Sequence, residues 1–326
     1  MFRKIVLIML GLALGLSACG NSQSTQAAGT LTHIRLPVGY IPNIQFAPFY
    51  VAIEKGYYRD AGIEIEFDYS FETDGVALVG AGTLPFAVVS GEQVPLARAQ
   101  DLPIKYVMAW YQQFPVSIVA KTQTGIKTPQ DLKGKKIGLP GLFGANYVGL
   151  RAFLLASGLK ESDVTLDSIG FNQVEALVSD KEQAIVVYSA NEPIQLRAQG
   201  VEINSLQVAD AVKLASNGVI TNEKTILENP ELVRSFVQAT LNGISDTIAD
   251  PKAAIEISKT YIPNFKELDA AVQEQILMTS IEMWKTKQLG YSDPAAWDNM
   301  KSTLVEMGLV KDSLDIKAAY TNEFIP

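Results

Sequence analysis

The chain of 326 residues contains one cysteine and one histidine. With Cys19 alone, no intramolecular disulfide can staple the fold, so a sizeable hydrophobic core must hold it. With His33 alone, the sequence argues against a His-based metal site or a Ser-His-Asp triad. His33 itself reads as a surface residue at the entry to the first strand. Positive charge is also short: 27 Lys and Arg face 35 Asp and Glu, a formal net charge of −8. Removing residues 1–18 takes Arg3 and Lys4 and no acidic residue, moving the charge to −10. An acidic surface argues against nucleic acid or anionic lipid as the main partner, since both require clustered Lys and Arg. Beyond the amino-terminal segment, no apolar run is long enough for a transmembrane helix.

What is present begins at the amino terminus. Arg3 and Lys4 precede an apolar run over residues 5–16, too short to span a bilayer comfortably, and Leu16-Ser17-Ala18-Cys19 follows. Residues 1–18 read as a secretory signal. The Leu-Ser-Ala-Cys run resembles the lipobox of bacterial lipoproteins, which implies that Cys19 is lipidated and becomes the mature amino terminus. A plain signal peptide with an incidental cysteine, or a free buried thiol, is the alternative. Residues 19–30, rich in Ser, Gln, Ala and Gly, read as a flexible tether. The expected location is the cell membrane, lipid-anchored on the extracytoplasmic face.

From Ile34 onward, short apolar strands alternate with helical stretches. Strands are expected over residues 34–38, 63–69, 86–89 and 104–110. A second set opens after residues 116–120, with strands over 136–139, 164–169, 183–188 and 201–206. A last short strand covers 218–221. Helices are expected over 47–59, stopped by Asp60-Ala61-Gly62, and over 76–81. Ser90-Gly91-Glu92-Gln93 fits a capping box opening a helix to about Ala99. Thr128-Pro129 marks another helix start. Helices then follow over 145–157, 172–178 and 191–199. From Asn229 the chain reads as nearly all helical, with Trp284 and Trp297 in the core. The alternation predicts α/β architecture with parallel strands: one α/β unit, a second, and a helical return.

Several segments carry a family resemblance. Tyr40-Ile41-Pro42-Asn43, Phe46-Ala47-Pro48-Phe49-Tyr50-Val51-Ala52 and Glu54-Lys55-Gly56-Tyr57-Tyr58 are among them. Thr128-Pro129-Gln130-Asp131-Leu132-Lys133-Gly134-Lys135-Lys136-Ile137-Gly138 is another. Together they resemble periplasmic-type solute-binding proteins, in the branch that binds thiamin-precursor pyrimidines, sulfonates and riboflavin. The resemblance implies a two-lobed periplasmic-binding-protein fold (type II) with two crossover segments and a helical carboxyl terminus. It assigns residues 31–116 plus 219–326 to lobe 1 and 117–218 to lobe 2. It implies a ligand held in the cleft, an ABC-type permease as membrane partner, and a monomer.

In such folds ligand sits beyond the carboxyl ends of parallel strands, near helix amino termini. Six junctions are therefore candidates. At the first, Tyr40 offers a ring face and Asn43 an amide, unless this is a plain polar turn. The second, Phe71-Glu72-Thr73-Asp74, could equally be a helix cap. At the third, Glu92 follows a buried strand, where it serves either ligand or helix dipole. At the fourth, Trp110 and Tyr111 enter the second lobe and form either the cleft floor or hinge packing. The fifth, residues 141–147, has glycines exposing N–H groups, with Phe143, Asn146 and Tyr147 but no Lys or Arg. The sixth carries Tyr188, Asn191 and Glu192, with Ser189 or Asn191 as alternative caps.

These junctions supply aromatics, amides and carboxylates and hardly any positive charge. A strongly anionic ligand would want Arg or a dense N–H nest. The pattern fits a neutral or weakly basic, flat, polar heterocycle. The chain most resembles the riboflavin-binding lipoproteins of the family, with Tyr188-Ser189-Ala190-Asn191-Glu192-Pro193 carrying that likeness. Riboflavin is the expected transported ligand. A thiamin-precursor pyrimidine, another solute, or a surface sensor or adhesin role remain open. A related branch synthesises the thiamin pyrimidine using a cysteine-rich motif, histidine and a lysine-bound cofactor. Cys19 and His33 both fall outside the predicted cleft, so no enzyme activity, cofactor or metal is expected.

Overall fold

The computed structural model describes Leu31–Pro326. The expected signal, Cys19 and the tether fall in residues 1–30 and lie outside the described residues. The first two strands, β1 (Thr32–Pro37) and β2 (Ile63–Asp68), pair in parallel from Thr32 opposite Ile63 to Pro37 opposite Asp68. Their alternation is that of a half-buried sheet: Ile34, Leu36 and Ile63 face the core, while Glu64 stays outside. His33 is exposed on β1, with Nε2 at 2.9 Å from the Glu66 carboxylate.

The remaining strands are β3 (Ala87–Val89), β4 (Ile104–Ala109), β5 (Val116–Lys121), β6 (Lys136–Leu139) and β7 (Thr165–Ser168). They are followed by β8 (Ala184–Tyr188), β9 (Ile203–Gln207) and β10 (Gly218–Asn222). They form a three-stranded sheet, β3-β10-β4, and a five-stranded sheet, β7-β6-β8-β5-β9. A parallel bridge from Val38 to Val88 continues β1 onto β3, giving the order β2, β1, β3, β10, β4. The five-stranded sheet repeats that order with its own strands.

The expectation of parallel strands holds for β1–β2, β6–β7 and β6–β8 and fails at β5 and β10. Both are antiparallel to each of their neighbours. Each is the first strand after the chain has crossed from one sheet to the other, so it enters without the helical return that makes neighbouring strands parallel. The crossovers lie between β4 and β5 and between β9 and β10, and they are fastened together. The N–H groups of Trp110 and Tyr111 both donate to the Asn217 carbonyl at 3.0 Å, and Ser216 Oγ donates to the Gln113 carbonyl.

Three helix expectations need correction. The segment 47–59 is two helices, Ala47–Glu54 and Tyr57–Asp60, separated at Gly56. Gly56 has φ of +79°, a left-handed conformation that breaks the ladder and that glycine adopts without Cβ strain. The capping box at Ser90 does not form. The helix there is Gln93–Arg98, and Ser90 Oγ is engaged by the Glu72 and Glu92 carboxyls instead. The helix expected over 76–81 begins earlier, as Glu72–Gly80.

The carboxyl-terminal third is helical, with Pro230–Ala249, Pro251–Ser258, Ala270–Trp284 and Pro294–Glu306. Proline presets the first-turn φ in three of them, and Asp250, Asp269 and Asp293 accept hydrogen bonds from first-turn N–H groups. Trp284 and Trp297 are both fully buried, as expected. Trp284 joins a core with Phe49 and Phe236, whereas Trp297 packs on Tyr106 in a second core. That second core runs on through Phe114 to Ile137 and Phe153, so hydrophobic packing is continuous past the crossovers.

Candidate functional site

A cleft enclosing about 640 Å³ of space, its open mouth included, lies where the two crossovers meet. Its floor is aromatic. Trp110, at 4% exposure, has ring centroids of Tyr111, Phe49, Phe46 and Trp284 between 4.8 and 5.8 Å away. These are offset and edge contacts that lock the ring planes. Gln45 Nε2 donates to Tyr111 Oη at 3.0 Å, and burial pushes the Tyr111 phenol up to about 12. Trp110 Nε1 has no protein acceptor.

One wall is built from the first strands. The turn after β1 brings Gly39 and Tyr40 to the cleft, and the first residue of the helix Glu72–Gly80 is Glu72. As a residue Glu72 is partly exposed, but its carboxylate points inward onto Ser90, accepting from the backbone N–H at 3.0 Å and contacting Oγ. Burial, and then the neighbouring Glu92 charge, push Glu72 well above the ordinary carboxylate range.

The opposite wall comes from the five-stranded sheet. Asn146, in the first turn of the helix Gly144–Ala156, donates through Nδ2 to the Val186 carbonyl at 3.0 Å. Tyr188 ends β8, and its hydroxyl accepts from Asn217 Nδ2 at 3.0 Å. Glu192, the first residue of the helix Glu192–Ala198, accepts from the Tyr188 N–H and from Asn191 Nδ2, each at 3.0 Å. Burial outweighs these hydrogen bonds and pushes Glu192 up to about 7. Asn191 Nδ2 also lies 3.5 Å from Tyr40 Oη, so the walls meet above the floor.

Seven of the ten expected contact residues thus line one cavity: Tyr40, Trp110, Tyr111, Asn146, Tyr188, Asn191 and Glu192. Three do not. Asn43 turns its side chain to the Gln45 N–H and caps a short 3-10 helix. Glu92 is wholly buried behind Ser90. Tyr147 sits one residue beyond Asn146 on the helix, hence on another face, where its hydroxyl donates to Glu161 and its ring lies beneath Arg151.

The cavity also includes Gln45, Glu72, Gln173 and Asn217. Asn217 is 6% exposed, with Oδ1 unpartnered. A signal for it existed, since it immediately precedes the last strand, at the second crossover. Gln173 likewise opens the helix Gln173–Val178 after β7. Gln45 carries no comparable signal, because its place depends on Tyr111, 66 residues away. Among the described residues, neither Lys nor Arg lines the cavity. The arrangement can stack a flat ring and read its rim through amides, hydroxyls and carboxyls, and Trp110 Nε1 and Asn217 Oδ1 are a donor and an acceptor buried without a partner.

Comparison with known proteins bears on this geometry. Residues 43–254 match the family model described as NMT1/THI5 like. Riboflavin-binding protein RibY of Chloroflexus aurantiacus is 44% identical over 310 residues, covering 92% of this chain and 88% of that protein. The formylaminopyrimidine-binding protein of Halalkalibacterium halodurans is 26% identical over 309 residues, 92% of each. The structure of the alkanesulfonate-binding protein SsuA from Xanthomonas axonopodis pv. citri, bound to MOPS, matches with a TM-score of 0.71 at 14% identity, covering 89% of this chain and 98% of that one. At that identity the likeness carries the fold, which is the two-lobed, type II periplasmic-binding-protein architecture. By the span of the family match and the RibY identity, this chain belongs to the NMT1/THI5-like family, as a solute-binding protein and not an enzyme.

Proposed function

We propose that this solute-binding protein of the ABC-import type binds riboflavin outside the cytoplasm and delivers it to a membrane permease. The observation that carries the reading is the cleft itself, with an aromatic floor, amide and carboxyl walls and no lining cation. An isoalloxazine ring is flat and uncharged, with carbonyl acceptors and an N–H donor on its rim. Stacking on Trp110 and Tyr111 contributes about 0.5–1.5 kcal/mol per aromatic pair beyond area burial. The free Trp110 N–H suits a ring carbonyl, and the free Asn217 oxygen suits a ring N–H or a hydroxyl. The 44% identity to a riboflavin-binding protein supports the same ligand.

Residues 31–116 with 219–326, and residues 117–218, act as two lobes that close on the ring, and the closed form is the one the permease recognises. A lipid on Cys19, with residues 19–30 as tether, keeps the monomeric protein at the membrane. The test is titration of riboflavin with the full chain, followed by flavin fluorescence. Saturable one-to-one quenching is expected. Absence of quenching, together with calorimetric binding of a formylaminopyrimidine, would replace the ligand by the smaller ring.

A further inference from the structure

The cleft does not end above the aromatic floor. It opens outward into a second chamber of about 490 Å³, mouth included, which adds Thr73, Gln93 and Phe143 to the lining. Glu72 lines both chambers and stands at their junction. The chain makes room for it there: a Cβ on Gly39 would lie 2.1 Å from Glu72 Cγ. Behind it, Ser90 Oγ lies within hydrogen-bond reach of both the Glu72 and the Glu92 carboxyls. A serine hydroxyl carries one proton and can donate to only one of them. The second contact therefore requires a proton on a carboxyl, so the pair holds one proton between its members. Glu92 Oε2 is buried without any partner, and among the described residues neither Lys nor Arg lines either chamber.

We propose that the Glu72–Ser90–Glu92 cluster makes this cleft selective for the uncharged form of its ring ligand. It accepts the hydroxyls of a polyol tail in the outer chamber and rejects a tail that ends in phosphate. The inference rests on the riboflavin reading and adds where the tail runs and what it cannot carry. Glu72, the member of the cluster that lines both chambers, borders the tail, with Glu192 the next carboxyl inward, and among the described residues no lining cation offsets a phosphate. At an effective dielectric of about 20, one such charge placed several ångströms from a carboxylate weakens binding about 100-fold.

The experiment compares riboflavin and flavin mononucleotide on the full chain by fluorescence titration. Wild type is expected to prefer riboflavin by about 100-fold. In Glu72→Gln the preference is expected to fall to about 10-fold or less. Thr73→Lys adds a cation to the outer chamber without replacing a residue of the cluster, and is expected to strengthen flavin mononucleotide binding about 10-fold. Equal binding of the two flavins by wild type, or an unchanged preference in both variants, overturns the proposal and leaves the riboflavin reading standing. Binding of neither flavin overturns both.

Discussion

Replacing Glu192 by Gln tests whether the cleft holds a carboxyl that folding makes hard to ionise. The residue is 7% exposed, and burial pushes it up to about 7 from an ordinary 4.5. Below pH 4.5 the group is neutral in both the folded and the unfolded chain, and its full contribution to stability is present. Between 4.5 and 7 the unfolded chain releases the proton while the folded chain keeps it, so stability falls as pH rises. Above 7 both are ionised and the loss is complete. The difference converts to about 3 kcal/mol.

Glutamine cannot ionise, so the variant lacks this slope. Its single amide oxygen satisfies only one of the two donors that Glu192 now receives, the Tyr188 N–H or Asn191 Nδ2. That leaves a cost of about 1–3 kcal/mol wherever the carboxylate would have accepted both. Urea unfolding of ligand-free wild type and Glu192→Gln from pH 4.5 to 8 gives the comparison. The stability of wild type relative to the variant is expected to fall by about 3 kcal/mol across that range. Glu72 and Glu92 titrate in both proteins and cancel in the difference. Two curves that stay parallel across the range would refute the argument, because they would show that Glu192 ionises as easily folded as unfolded.

Gly39→Ala places a methyl group 2.1 Å from Glu72 Cγ and must displace the carboxyl. A stability loss of about 1–3 kcal/mol is expected by denaturation, with a weaker calorimetric affinity for riboflavin; unchanged affinity would show that Glu72 has no part in the site. Phe71 is 51% exposed at the cleft mouth, with Phe143 and Phe171 rings 5.8 and 6.2 Å away on the opposite wall. Phe71→Ala is expected to alter stability by less than about 0.5 kcal/mol but to open the ligand-free protein, seen as a larger radius of gyration in small-angle scattering; an unchanged radius refutes a latch at the mouth.

What could be read from the sequence was periodicity and local chemistry. The alternation in Ile63-Glu64-Ile65-Glu66-Phe67 is a strand because its apolar residues share one face, and β2 covers it. Tyr188 to Glu192 could be read as a polar turn after an apolar run, and it lines the cleft. Tyr147 and Asn146 look equivalent in the sequence, yet adjacent helix positions point about 100° apart, and only Asn146 reaches the cavity. Ser90 looked like a cap because a capping box is a local pattern. Its hydroxyl was taken by Glu72, 18 residues earlier, and no local rule weighs a partner at that distance.

The least legible feature is the one that organises the cleft. The Asn217 carbonyl holds the N–H groups of both Trp110 and Tyr111, while its side chain donates to Tyr188. Backbone acceptors leave no mark on residue identity, so nothing in the sequence announces that the two crossovers are tied together at the floor. The consequence is mechanical. A hinge made of two independent crossovers would let the floor shear as the lobes move, whereas two crossovers bonded to each other through the Asn217 carbonyl would move as a unit. Trp110 and Tyr111 are further held from below by Trp284, a residue of the carboxyl-terminal helices. On the proposed two-lobe closure, the aromatic floor would stay with the first lobe as a fixed platform, and Tyr188, Asn191 and Glu192 would come down onto a ring seated there.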